Sequence, residues 1–154
     1  MQFNVFVSHS MRPEDMPLIT SFCDYIAQHG MTCYLAERDW KFGQTLALKI
    51  ENAITNCDCV IAFLTVSGSS SSYVNQEIGL ARGKGKLCIP VIEKGVNLKG
   101  LQVGSEYIEL DRANPASCAT TLAEYLMKLR ADKEQRAAIG WAALALLAAL
   151  AMRT

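Results

Sequence analysis

The run Cys59-Val60-Ile61-Ala62-Phe63-Leu64 is almost continuously apolar and of strand length. A strand with no polar side must be covered on both faces, which is the situation of a central strand in a parallel sheet. That run alone excludes an architecture with one solvated sheet face. It asks the rest of the chain for neighbouring strands and for helices above and below them.

The flanking sequence supplies both. Phe3-Asn4-Val5-Phe6-Val7-Ser8 reads as a first strand, β-branched and aromatic. Pro13 discourages helix at Arg12, so His9–Asp15 is a loop. From Met16 to His29, Leu18, Ile19, Phe22, Tyr25 and Ile26 recur at helical spacing, and Gly30 closes the helix. Thr32–Ala36 reads as a second strand, Glu37–Gly43 as its loop, and Gln44–Asn56 as a helix through Leu46, Leu48, Ile50, Ala53 and Ile54. After the central run come a serine-rich loop and another helix. Leu87–Ile92 is a fourth strand, in which Pro90 removes one backbone donor, and Tyr107–Leu110 is a weaker fifth. Beyond Pro115, Ser117–Arg130 is periodic through Leu122, Tyr125, Leu126 and Leu129.

Strands alternating with amphipathic helices imply βαβ units. Right-handed crossovers then favour a doubly wound, five-stranded parallel α/β sheet of flavodoxin-like order 2-1-3-4-5, with helices on both faces. Ligands of such sheets bind outside the carboxyl ends of the strands, near the switch point. Three loops lie there: His9–Asp15, Glu37–Gly43 and Ser67–Ser72.

The 154 residues suffice for one domain with a sizeable core. Lys plus Arg and Asp plus Glu number 15 each and are interleaved, which argues against nucleic acid as a partner. The six cysteines lie mostly in apolar segments without paired CxxC spacing, so neither a metal centre nor a disulfide framework is expected. They read as reduced, buried thiols in a cytoplasmic setting, and Met1–Asn4 opens no secretory signal. Gly83-Lys84-Gly85-Lys86 lacks the spacing of a phosphate-binding loop and reads as a helix exit.

Ser67–Gly79 joins the serine run to a helix in which Tyr73 and Glu77, four apart, share a face. A serine ahead of them is placed to cap the first turn, and the macrodipole favours a carboxylate near the helix start. On this pattern alone Glu77 is either a well-placed surface glutamate or the chemical centre of a cleft.

Three stretches carry a family resemblance. Phe3–His9 is an aromatic and a polar residue, then a small-to-apolar run ending in Ser-His; Arg38-Asp39-Trp40-Lys41-Phe42-Gly43 is similar to Arg-Asp-x-x-Pro-Gly, with Phe42 where proline is usual; Ser72–Ile78 is similar to Ser-Trp-x-x-x-Glu-Ile, with Tyr73 in place of tryptophan. In this order, and at these loops, they resemble a TIR (Toll/interleukin-1 receptor) domain of prokaryotic type across roughly Gln2–Arg130. Enzymatic members cleave NAD+ between nicotinamide and ribose, giving ADP-ribose or a cyclic isomer, without a cofactor. The resemblance therefore implies NAD+ as substrate, Glu77 as catalytic residue, self-association through TIR–TIR contacts, and a role in prokaryotic immune or stress signalling. A non-enzymatic module signalling by homotypic contacts through the Arg38–Gly43 loop is the alternative. A carboxylate beside the ribose suits the chemistry, because breaking the anomeric bond develops oxocarbenium-like charge while nicotinamide leaves neutral.

The candidates for substrate contact are Phe6, Ser8, His9, Ser10, Arg38, Asp39, Trp40 and Tyr73. Several have plainer alternatives: Phe6 as core, Tyr73 as a packing residue, His9 as a loop residue without a role, Arg38 paired with Glu37 or Asp39, Trp40 as a self-association contact. Residues 1–131 are thus expected to form the TIR domain and 132–154 a basic-flanked apolar helix. Its uncharged stretch, Ala137–Met152, falls short of the roughly 20 residues that span a bilayer. It is apolar on every side, with alanines at 138, 142, 145 and 149. It is either a membrane attachment or a helix that packs against the domain or another copy.

Overall fold

The computed structural model describes residues 1–35, 43, 45–67, 71–97 and 106–152. Its elements are β1 (Asn4–Ser8), α1 (Met16–Gln28), β2 (Thr32–Tyr34), α2 (Leu46–Asn56), β3 (Cys59–Leu64), α3 (Ser72–Gly83), β4 (Leu87–Glu93), β5 (Ile108–Leu110) and α4 (Pro115–Ala151). All strand pairs are parallel, in the order β2-β1-β3-β4-β5. β3 is central and buried at every position, as its composition requires.

Alternation along the strands sends side chains to two helical layers. Val5 and Val7 of β1 and Ile61 and Phe63 of β3 meet Ile19, Phe22 and Ile26 of α1 and Leu122 and Leu126 of α4. Within that layer the Phe22 and Phe63 rings pack edge to face, centroids 5.2 Å apart. Phe6 and Val60 point the other way, onto Ile50 and Ile54 of α2 and Ala81 of α3. Leu64 and Ile92 meet Val74 of α3 in a smaller cluster.

Local signals explain most boundaries. Thr45 caps α2, its hydroxyl accepting from Leu48 N at 3.2 Å. Gly30 adopts φ +75° just after α1 and donates its N–H to Ala27. Arg130 of α4 fastens that turn by donating to the His29 carbonyl at 2.7 Å.

Three expectations need correction. Ser71 occupies the N-cap position of α3 but makes no side-chain capping bond. Because α3 starts at Ser72, Glu77 lies in the second turn, where the macrodipole has largely faded. The last helix does not stop near Arg130: α4 runs without a break from Pro115 to Ala151. No glycine or proline interrupts the residues between Pro115 and Gly140, and the charged residues 128–136 are good helix formers. Beyond Ala137 it leaves the domain, and Ile139, Trp141, Leu144, Leu146, Leu147, Leu150 and Met152 are all exposed. Among the described residues no helix is long and apolar enough to cross a membrane.

Candidate active site

The inner face of α3 carries Val74, Glu77 and Ala81, all buried; Glu77 is only 4% exposed. Tyr73 and Ala81, one turn to either side of Glu77, both pack into the cluster around Phe6. α3 therefore holds the Glu77 carboxylate on the sheet side, in the layer shared with α2. A surface glutamate at the helix start is excluded.

Ser8 ends β1 and points to the same face as Phe6, two residues earlier. It is fully buried, and its hydroxyl has no hydrogen-bond partner among the described residues. Its register partner on β3 is Ala62, so two small side chains adjoin beneath the α2–α3 layer at the carboxyl end of the sheet. Phe6 itself is completely buried and stacks on Tyr34, centroids 5.8 Å apart, as part of the core. Tyr73 is half-buried against that cluster.

His9 and Ser10 follow β1 and are also buried. His9 Nδ1 lies 2.7 Å from the Ser10 carbonyl oxygen, which can only accept, so Nδ1 carries a proton. Ser10 Oγ donates to Asp15 Oδ2 at 2.8 Å. Arg38, Asp39 and Trp40 lie outside the described residues. The structure thus gathers Ser8, His9 and Ser10 at the edge behind which Glu77 is buried, with Phe6 and Tyr73 packed below.

The sequence reading missed an ion cluster at the same edge. Asp15 ends the loop after β1, and its carboxylate is completely buried. It accepts from Ser10, from Thr65 Oγ1 at 2.7 Å, from Ser67 Oγ at 2.9 Å and from Arg112. Burial pushes the Asp15 carboxyl up, but the bonds from Thr65, Arg112, Ser10 and Ser67 prevail and hold it below its ordinary 3.8. Arg112, just beyond β5, also pairs with Glu93 at the end of β4, and this raises the guanidinium's own value. Glu93 Oε2 in turn accepts from Val66 N at 2.8 Å. Asp15, Glu93 and Arg112 are far apart in sequence, so no local spacing announces them. The one available signal was positional: each sits at a strand's carboxyl end or in the loop beyond it.

All six cysteines are free thiols. Burial, foremost, pushes Cys59 up to about 12, and burial pushes Cys118 up to about 11. No group of side chains suited to a metal ion occurs among the described residues.

Comparison with known proteins bears on the fold. No curated protein matches the sequence. Among solved structures, the Clostridium botulinum CMP N-glycosidase BcmB superposes with a TM-score of 0.59 at 22% identity, over 79% of this chain and 98% of that one. The TIR domain of the Toll-related receptor TRR-2 from Hydra magnipapillata gives 0.65 at 16% identity, over 82% and 97%. A metazoan TIR-STING receptor from C. gigas gives 0.59 at 22% identity, over 77% of this chain and 39% of that one. At these identities the likenesses report fold. The TIR domain family model matches residues 5–127, from β1 into α4, and with the parallel order β2-β1-β3-β4-β5 it shows that this chain belongs to the TIR domain family.

Proposed function

We propose that the protein is an NAD+ nucleosidase whose catalytic residue is Glu77. The observation that carries this reading is a glutamate held almost wholly out of water on the sheet side of α3, one turn behind the carboxyl edge. A buried carboxylate costs free energy unless it is paired, and carboxylates held in this way cluster at functional sites.

The chemistry asks little else. The bond between the ribose anomeric carbon and the pyridinium nitrogen breaks with its electron pair going to nitrogen, so nicotinamide leaves neutral. Positive charge then spreads over the anomeric carbon and ring oxygen, and the Glu77 carboxylate stabilises it. Water adds to the carbon and releases a proton, giving ADP-ribose; attack by an atom of the same molecule gives a cyclic isomer. In this reading the Ser8 hydroxyl and the His9–Ser10 segment orient the ribose. TIR–TIR self-association brings the enzyme into its working assembly, and the non-enzymatic scaffold is the rival reading.

The test is nicotinamide release from NAD+ by purified protein across a concentration series, with CMP as a comparison substrate because a solved CMP N-glycosidase shares the fold. Mass analysis of the product separates hydrolysis from cyclisation. Absence of turnover at every concentration, under conditions where the protein assembles, refutes the enzyme reading in favour of the scaffold. Full activity in Glu77→Gln refutes the site.

A further inference from the structure

The chemistry at Glu77 makes no use of the ion cluster, yet the cluster holds the segment that leads to Glu77. Three consecutive residues leaving β3 bind to it. Thr65 Oγ1 and Ser67 Oγ both donate to Asp15 Oδ2, and Val66 N donates to Glu93 Oε2. Arg112 lies between the two carboxylates, giving Nη2 to Asp15 and both Nε and Nη2 to Glu93. That guanidinium is the counter-charge to a completely buried Asp15 and a nearly buried Glu93. The ionised forms are the ones able to accept all of these hydrogen bonds.

We propose that Asp15, Glu93 and Arg112 are positioning residues for the β3–α3 connection, and that by fixing its first residues they set the substrate-binding edge in front of Glu77. The inference rests on the reading of Glu77 given above. It also predicts which kinetic constant responds. α3 is seated independently by Val74 and Ala81 in apolar clusters, so loosening the connection leaves the Glu77 carboxylate in place. The effect falls on substrate binding and spares the chemical step.

The experiment compares wild type, Ser67→Ala, Arg112→Lys and Glu77→Gln as full-length proteins. Nicotinamide release is followed over a range of NAD+ concentrations, with thermal melting alongside. Ser67→Ala deletes one bond of the four to Asp15 and should stay folded, melting within a few degrees of wild type, so it carries the test if Arg112→Lys does not fold. The expected result is a KM about fivefold higher in Ser67→Ala, and higher again in Arg112→Lys, with kcat within about twofold of wild type. A lysine head is a point charge and cannot bridge both carboxylates as the planar guanidinium does. Unchanged KM in the folded variants overturns the proposal, and so does a fall in kcat at constant KM. If wild type releases no nicotinamide, the enzyme reading fails and amide exchange decides the positioning claim by itself. Faster exchange at Val66 in Arg112→Lys, with Ile78–Gly83 unchanged, upholds it; uniform exchange along both stretches, or no change at Val66, overturns it.

Discussion

Replacing Arg112 by methionine tests the energetics of the carboxyl edge most directly. In the native protein its guanidinium pairs with a completely buried Asp15 and with Glu93, whose side chain is 10% exposed. Breaking a buried ion pair from one side costs about 3–5 kcal/mol, because the partner stays buried without its counter-charge. Arg112 is itself 38% exposed, so water replaces part of what it supplied, and the low end applies: about 3 kcal/mol. At about 2–4 °C per kcal/mol for a domain of this size, the melting temperature should fall by about 6–12 °C.

The sign of the pH dependence separates this mechanism from lost packing. In wild type the Asp15 carboxyl is held below 3.8, so its contribution to stability is fully present above that value and is lost as pH falls through the depressed one. In Arg112→Met the guanidinium no longer offsets the burial of Asp15, and the Asp15 carboxyl rises above its unfolded value. Acidification then favours the folded variant, and the gap to wild type narrows from pH 7 to pH 5. Circular-dichroism melts at both pH values give the measurement. Adding Asp15→Asn and Glu93→Gln should recover much of the loss, since neutral groups remove the uncompensated charge. A shift under about 2 °C at pH 7, or a gap that widens on acidification, would refute the argument.

Glu77→Gln keeps the shape of the side chain and removes its charge; nicotinamide release should drop by about 10²–10³-fold, with the variant folded by circular dichroism. Cys59 and Cys118, with values near 12 and 11, should resist alkylation at pH 8 in the native protein and react once denatured, as read by mass spectrometry of intact and digested chains. Modification of either in the folded state at the rate of a free thiol would contradict their burial. A chain ending at Glu134 retains Cys118, Leu122, Ala123 and Leu126, the buried residues of α4. It should melt like the full chain while losing self-association in light scattering, if residues 137–152 are the association helix; association unchanged by the truncation argues against that role. Flotation of the full chain with lipid vesicles would assign them to a membrane instead.

The elements that could be read from sequence are those whose pattern is set by a single physical demand. Cys59–Leu64 had the right ends because a two-sided strand tolerates no polar residue, and Asp58 and Thr65 bound it. β4 extended one residue beyond the expectation because a charged residue normally signals a loop. Glu93 instead stays in register with Leu110 and finds Arg112. Glu77 could be singled out through a short motif, but its burial could not, since helical spacing places it on a face without saying which face meets the sheet. Asp15 and Arg112 are 97 residues apart, and their pairing exists only once β1 and β5 have taken opposite sides of β3 and β4. The cap at Ser71 failed for a local reason: its position is right, but its hydroxyl makes no capping bond.

The unbroken course of α4 fixes which way the molecule faces. The helix begins at the carboxyl edge, runs back along the sheet, and leaves at the opposite end. There Lys133 pairs with Asp58 at 2.7 Å and donates to the Gln2 carbonyl at 3.0 Å, both just ahead of strands. From Ala137 to Ala151 it is a stiff arm of about 22 Å. Whatever surface takes hold of the arm's end therefore holds the domain with the carboxyl edge of its sheet facing away from that surface.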